Sequence, residues 1–437
     1  MVGYESRSSN GCIRTSLEQC EPQKDSNRCF RVRETRNRTS TDLNCLKAKQ
    51  VLSDLFLPQN YPSCVSQDYL EYQVWDSAQA LFSSVCGTLA ARATFEGLGV
   101  GEQSATVSGA TYTWMLKMSS GMIGSIVFAY YQSSSLDAHC KQWRLFADIL
   151  NDLAMTMAII SPLFSPFTFV MLSCLSSLFH ALVGVAGSTT RAALRVHQAR
   201  DNNMADVCAK DNSQEQLVNL VGLLLGFLVT SMVDFFGQVF VWSLFVMCTC
   251  CHLVCNYYAV KCVTMESLNP SRFQTLVNRF WADYRLSSDP TNLTMKSINQ
   301  SENLFFWKLR RLPRVSIGVP INELHQPIVV SSTASAMFSL GNLTRLDCSQ
   351  LHISIALSEA CSSSDIVRAC FVAYSCDMDS TRLKEHFTLY GEEGLTKYMD
   401  ELESTFPAFQ RTLNSCGWKC DDHSLLEVDA WRFSPIR

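Results

Sequence analysis

The chain is short of charge. Only 17% of its 437 residues are Asp, Glu, Lys or Arg, where an ordinary soluble domain carries about 25%. The deficit is local: residues 77–91, 118–136 and 163–187 contain none of these four. The net charge is also small, −4, which excludes the broad basic footprint of a nucleic-acid binder, so no nucleic-acid partner is expected. Residues 1–46 lack the apolar stretch of a secretory signal, and none is expected there. Their acids Glu5, Glu18, Glu21, Asp25 and Glu34 argue against an organelle transit peptide, a class poor in acidic residues. Catalytic signatures are missing as well. There is no Walker loop, no Ser/His/Asp nucleophile motif and no zinc-protease motif. The glycine-rich run at residues 95–101 has no strand before it and reads as a turn between helices. No cofactor, no metal and no enzymatic activity are expected.

Cysteine, by contrast, is plentiful. Many of the 20 cysteines sit inside apolar runs, where the thiol behaves as a small hydrophobe, so reduced cysteines are expected. The run Cys248-x-Cys250-Cys251-His252-x-x-Cys255 resembles a metal cluster in composition. Structural metal sites usually draw turn-borne pairs from two segments, however, so these residues read as helix packing.

The apolar residues concentrate between about 77 and 265. Residues 163–187 form a run of 25 whose only titratable groups are Cys174 and His180. About 20 apolar residues cross a bilayer, so this run predicts a span. Residues 217–233 and 235–260, separated by Asp234, predict two more. Residues 77–91, 105–131 and 143–160 add shorter or charge-interrupted helices, giving about five or six in all. Gly109, Gly121 and Gly124, and the pair Gly222 and Gly226, are small positions that let a neighbouring helix approach closely.

Beyond residue 286 the pattern changes. Residues 315–319 and 351–357 alternate like strands, and 425–433 reads as a final strand. Ser363 or Ser364 can cap a helix whose apolar face holds Ile366, Ala369, Cys370 and Ala373. Residues 381–389 and 395–413 predict helices, with Gly391 and Gly394 between them and Gly417-Trp418 as the stop. The expected architecture is mainly α: a multi-helix membrane-type bundle with a C-terminal soluble α+β domain. The expected domains are a disordered polar tail over 1–46, a helical membrane domain over 47–285, a linker over 286–302 and the α+β domain over 303–437.

The candidate site is the polar material wedged among these helices. Asp148, Asn151 and Asp152 lie three to four residues apart and share one helix face. Ionisable groups are costly inside a membrane segment and usually face a pathway or a partner. Arg191 and Arg195 share another face, and guanidinium forks suit phosphate or carboxylate. Asp206, Lys210 and Asp211 complete the candidate substrate-binding set; Asp206 and Asp211 can equally pair with the arginines, and Lys210 reads as an ion-pair partner rather than a Schiff-base lysine. If residues 163–187 cross once, the carboxylates and the arginines fall at opposite ends of that helix, unless Pro162 and Pro166 fold the first set back.

Several segments together resemble the root UVB sensitive family. They are Tyr69-Leu-x-Tyr-Gln73-x-Trp75-Asp76-Ser77-x-Gln79-Ala80, Gly97-Leu-Gly-Val-Gly101 and Lys141-x-Trp-Arg144-x-x-Ala-Asp148-x-x-Asn-Asp152, followed by Ser161-Pro-Leu-Phe164. The fullest likeness is Gly184-Val-Ala-Gly187-x-x-Thr-Arg191-Ala-Ala-Leu194 with Asn203-Met-Ala-Asp206-Val-x-Ala-Lys210-Asp211-x-Ser-Gln-Glu215. The resemblance covers about residues 51–435. It implies a multi-pass membrane protein, and for plant members an association with UV-B tolerance, auxin transport and vitamin B6 homeostasis. The expected function is transport, or a transport-associated role, for a small polar solute. The alternative is a membrane adaptor that recruits a protein partner through the C-terminal domain. The expected partners are therefore a lipid membrane, a small polar solute and possible protein contacts. An enzyme acting on a B6-type metabolite is the third reading.

Overall fold

The computed structural model describes residues 3–8, 11–19, 30–34, 51–100, 106–286, 293–305, 314–324, 326–331, 335–341, 351–420 and 431–434. Residues 1–57 form one compact unit and 58–437 another. In the first, β1 (Gly3–Ser8), β2 (Gly11–Gln19) and β3 (Phe30–Glu34) make an antiparallel sheet in the order β1-β2-β3. The polar composition of residues 1–46 predicts a tail without regular structure, and the strands differ from that. The difference traces to β2, where Ile13, Thr15 and Leu17 alternate with polar residues, a period too short to stand out in a polar stretch.

The second unit begins with six long helices: α1 (Tyr69–Gly97), α2 (Val107–Ala138), α3 (Cys140–Ile160), α4 (Pro166–Gln198), α5 (Met204–Phe236) and α6 (Gln238–Cys262). Four segments are long and apolar enough to cross a membrane: Cys140–Leu163, Pro166–Gln198, Met204–Val233 and Gln238–Cys262. The helices outrun the uncharged runs that announce them. α1 extends past both ends of 77–91 because Asp76 is buried among polar partners, while Arg92 and Glu96 lie near its end.

Turns are set by local chemistry. Ser165 caps α4, with Pro166 at its first turn, where a missing N–H costs nothing. The break between α5 and α6 falls at Gly237, with φ +72°, rather than at Asp234; a positive φ is readily available to glycine. Gly99, with φ +77°, turns the chain after α1 as the glycine-rich run predicts.

α1 runs through the middle of the bundle and packs against α3, α5 and α6. Four of the five small positions act as read, while Gly109 meets only Thr106, the cap of its own helix. A side chain at Gly222 or Gly226 would run into Ser84 or Thr88 of α1, and one at Gly121 or Gly124 into Ser177 or Leu178 of α4. Serine hydroxyls also bridge helices: Ser120 donates to the Cys174 carbonyl at 3.1 Å across the α2–α4 seam, and Ser176 to the Ala154 carbonyl at 2.8 Å between α4 and α3. The outer faces of α2 and α5 are apolar and exposed, among them Trp114, Ile126, Leu224 and Phe227. Only 17% of the apolar stretch of α5 is buried.

α7 (Pro270–Leu286) and α8 (Met295–Ser301) lead into a mixed sheet. Its strands are β4 (Arg314–Ile317), β5 (Ile328–Val330), β6 (Ala336–Gly341) and β7 (His352–Ser358), in the order β4-β7-β6-β5. β8 (Arg432–Phe433) also pairs with β7, in parallel. Against the sheet pack α9 (Ser363–Met378) and α10 (Ser380–Ser415), the latter broken at Gly391 with φ +62° into the two helices the glycines predict. α9 is capped one residue earlier than expected: Ser362 accepts from the Asp365 N–H and Asp365 accepts from the Ser362 N–H, a reciprocal capping box.

The core of this part is aromatic. Phe371 stacks on Phe409 with centroids 4.7 Å apart, and Phe273 and Phe280 of α7 close around them. Each such ring contributes about 1.5–3 kcal/mol by burial. α7, which the sequence boundary at 285 groups with the bundle, thus packs into the C-terminal core. The expected strand at 425–433 lies largely outside the described residues.

Candidate functional site

Pro162 and Pro166 settle the geometry of the charged residues. A short 3-10 turn, Ser161–Leu163, reverses the chain, so α3 and α4 lie side by side as an antiparallel hairpin. The carboxylate face of α3 is thereby folded back beside the arginines of α4. Four helices line an open cavity of about 500 Å³. α1 contributes Gln79, Ser83 and Ser84, α3 contributes Arg144, Asp148 and Asn151, α4 contributes Arg191 and Arg195, and α5 contributes Asn212, Glu215 and Asn219.

The charges form a chain along the wall. Arg144 Nη2 donates to Asp76 Oδ1 at 2.7 Å, and its Nε lies 3.8 Å from Asp148 Oδ2. Arg191 reaches Asp76 Oδ2 at 3.5 Å and donates to Glu215. Arg195 Nε donates to Asp211 Oδ2 at 2.7 Å, and Nη2 to Asn212 Oδ1 at 2.6 Å. Asp76 also accepts from Gln79 at 3.2 Å and from the Tyr72 hydroxyl at 3.4 Å. Asn151 donates to Ser83 Oγ at 3.2 Å. Among the described residues, Asp148 Oδ2, Arg144 Nε and Arg191 Nε are buried without a hydrogen-bond partner. Buried polar atoms in folded proteins are nearly always satisfied, so polar vacancies of this kind suit water or a polar ligand.

Of the eight candidates, Asp148, Asn151, Arg191 and Arg195 line the cavity. Asp211 stands behind it, holding Arg195. Asp152 points away from it, to His252 of α6. Asp206 accepts from the Gln59 N–H at 2.7 Å, and Lys210 is not among the lining residues. The hub is Asp76, which the site reading omits although the spacing of Asp76, Gln79 and Ser83 along one face of an apolar helix carries the signal. Asn212, Glu215 and Asn219 repeat that spacing on α5.

Just outside the cavity, Asp68 receives His197 Nε2 at 3.0 Å, the Thr264 N–H at 2.6 Å and the Ser66 hydroxyl. Burial opposes its ionisation, but these partners hold its carboxyl down at about 2. The clasp ties the start of α1 to the ends of α4 and α6. The cysteines of α6 go separate ways: Cys248 packs in a core cluster beside Cys86, and Cys250 is exposed. Among the described residues no group of three or more His, Cys, Asp or Glu is placed to hold a metal ion.

Residues 44–283 match the vitamin B6 photo-protection and homoeostasis domain, and residues 291–434 match the root UVB sensitive protein C-terminal domain. The chain is 43% identical to RUS family member 1 of Dictyostelium discoideum over 277 residues, covering 63% of this chain and 51% of that one. It is 32% identical to protein root UVB sensitive 3 of Arabidopsis thaliana over 380 residues, 84% of this chain and 82% of the relative. Protein root UVB sensitive 5 of the same plant is 23% identical over 428 residues, 94% and 80% of the two chains. No solved structure matches. With both family domains in order and the similarity running through the residues that build the cavity, the chain belongs to the root UVB sensitive family.

Proposed function

We propose that the chain is a membrane transporter, not an enzyme, and that the cavity among α1, α3, α4 and α5 is where it holds a small polar solute. The observation that carries this reading is the placement of Asp148, Asn151, Arg191 and Arg195 around one cavity, on two helices, α3 and α4, that are both long and apolar enough to cross a membrane. Ionisable residues gathered around a polar space inside such a bundle are costly unless they face a pathway. The cavity offers both signs of charge and several amides and hydroxyls, which suits a solute with donors and acceptors rather than a bare ion. Arg191 and Glu215 form its most adaptable pair, since the Glu215 side chain is 33% exposed and can exchange its partner for a ligand anion. The description of the matched domain makes vitamin B6 vitamers the first solutes to try.

Liposomes carrying the purified protein, given labelled pyridoxine, pyridoxal or pyridoxal 5′-phosphate, test this. Uptake above protein-free liposomes is expected for at least one vitamer, with a loss of about tenfold or more in Asp148→Asn and Arg191→Gln, equivalent to about 1.4 kcal/mol of lost interaction. Flux equal to that of empty liposomes for every vitamer, or flux indifferent to both substitutions, overturns the reading.

A further inference from the structure

His252 lies on α6 with its side chain 1% exposed, and its Nδ1 is 2.9 Å from Asp152 Oδ2. Asp152 follows Asp148 by one helical turn on the same face of α3, so the pair sits one turn deeper than the cavity wall. Three groups around it are open. His252 Nε2, Asp152 Oδ1 and both amide atoms of Asn256, one turn further along α6, are buried without hydrogen-bond partners among the described residues. A static packing pair in an apolar bundle would not leave four polar atoms unmet in one place.

The charge balance points the same way. Along the seam, the carboxylates of Asp76, Asp148 and Glu215 face the guanidiniums of Arg144 and Arg191, and Asp152 faces His252. With neutral His252 these four carboxylates stand against two guanidiniums; protonated His252 lowers the excess from two to one. In a low-dielectric interior such a change is felt by every charge nearby.

We propose that the His252–Asp152 pair is a proton site coupled to the solute cavity, so that a proton travels with the solute; this deepens the transport reading and rests on it. The route is short. His252 gives up its proton by breaking an N–H bond, the electron pair staying on nitrogen, and the Asp148 carboxylate takes that proton through one bridging water to form an O–H bond. Asp148 then releases it to water in the cavity. Loss of charge on Asp148 frees Arg144 from its 3.8 Å contact, which links the proton's position to the cavity wall. The charged groups that act on His252 are Asp152, Asp148 and Arg144 on α3; Asp76 of α1 lies beyond Arg144, Cys86 of α1 packs against α6, and Cys248, Cys251 and Cys255 are on its own helix.

The test uses the full-length protein in phosphatidylcholine–phosphatidylglycerol vesicles loaded with a pH-sensitive dye, with the three B6 vitamers as probes. For the wild type, an external vitamer is expected to acidify the lumen, and accumulation is expected to rise about tenfold for each unit of inward pH gradient if one proton moves per solute. His252→Gln is expected to keep exchange of labelled for unlabelled vitamer within roughly twofold, far less than the tenfold per 1.4 kcal/mol expected of a lost binding contact. The same variant should lose both acidification and the response to the gradient. Asp152→Asn, which keeps the size and the hydrogen bond, must give the same uncoupled behaviour. Wild-type uptake that neither acidifies the lumen nor follows the gradient overturns the coupling and leaves transport standing. Coupling that survives in folded His252→Gln or Asp152→Asn overturns it too. Absence of uptake for all three vitamers overturns the transport reading and the coupling with it.

Discussion

Lys141 and Arg144 are one turn apart on α3, and each enters a buried charge cluster, yet the two clusters differ in kind. Around Lys141 every charged group is satisfied, and the unmet atoms are the neutral Gln142 Oε1 and Ser267 Oγ. Glu302, with no exposed side-chain surface, accepts from Arg272 at 3.0 Å through both oxygens, from Asn269 at 2.8 Å and from Gln142 at 3.1 Å, and lies 3.3 Å from Lys141. Lys141 also donates to the Val263 carbonyl at 2.5 Å and to Asn299 at 2.8 Å. Around Arg144, by contrast, Asp148 Oδ2 and the guanidine Nε have no hydrogen-bond partner among the described residues, and a cavity adjoins them. A closed network fixes how the bundle meets the C-terminal part; an open one has capacity left for something else. Burial of charge is common to both; unmet atoms on charged groups, beside a cavity, are what separate the site from the latch.

The comparison can be broken in order of expected effect. Glu302→Gln leaves Lys141 and Arg272 buried with no full counter-charge, and should cost about 3–5 kcal/mol, read as a large fall in thermal midpoint in detergent. A midpoint close to wild type would mean the latch is not structural. Acid should act on the same cluster. Burial raises the Glu302 carboxyl, but Arg272 and Lys141 outweigh it and hold the group at about 2, below its ordinary 4.5. A depressed carboxyl stabilises above its unfolded value and loses that contribution as pH falls from about 4.5 toward 2, on the order of 3 kcal/mol here. Unfolding against pH should therefore slope steeply below pH 4.5 in the wild type and more gently in Glu302→Gln.

The open cluster should respond oppositely. Asp148→Asn is expected to lower uptake about tenfold or more while shifting stability by about 1 kcal/mol or less, because the removed oxygen has no hydrogen bond to lose. A stability loss as large as that of Glu302→Gln would erase the distinction. The smallest effect is expected for Asn219→Ala, which removes one lining amide: about fivefold in apparent affinity for the solute, corresponding to about 1 kcal/mol, measured from concentration-dependent uptake.

Much of the fold was legible because its signals are local. Uncharged runs announced the helices, Gly222 and Gly226 announced a close neighbour, and Gly391 and Gly417 announced breaks that occur with positive φ. The errors share a cause. Helix ends were drawn at the first charge, yet α1 carries Asp76 into the core because Arg144 and Arg191 meet it there. A boundary at Ser77 also leaves Asp76 outside the candidate site. Asp152 was grouped with Asp148 because they share a face, but a face is wider than a cavity, and His252 claims the deeper part.

By itself the sequence determined which segments are helices, which are apolar enough for lipid, and which residues bear charge among them, since periodicity and burial cost are properties of neighbouring positions along a chain. It left open whether the carboxylates of α3 and the arginines of α4 mark two mouths or one chamber. The tertiary structure decided that. The turn at Ser161–Leu163 reverses the chain, α1 inserts Asp76 between the two guanidiniums, and α5 closes the wall. The physical reason is that an ion pair between residues 76 and 191 depends on how helices rotate and stack, a choice settled by the packing of the whole bundle and written in no single segment.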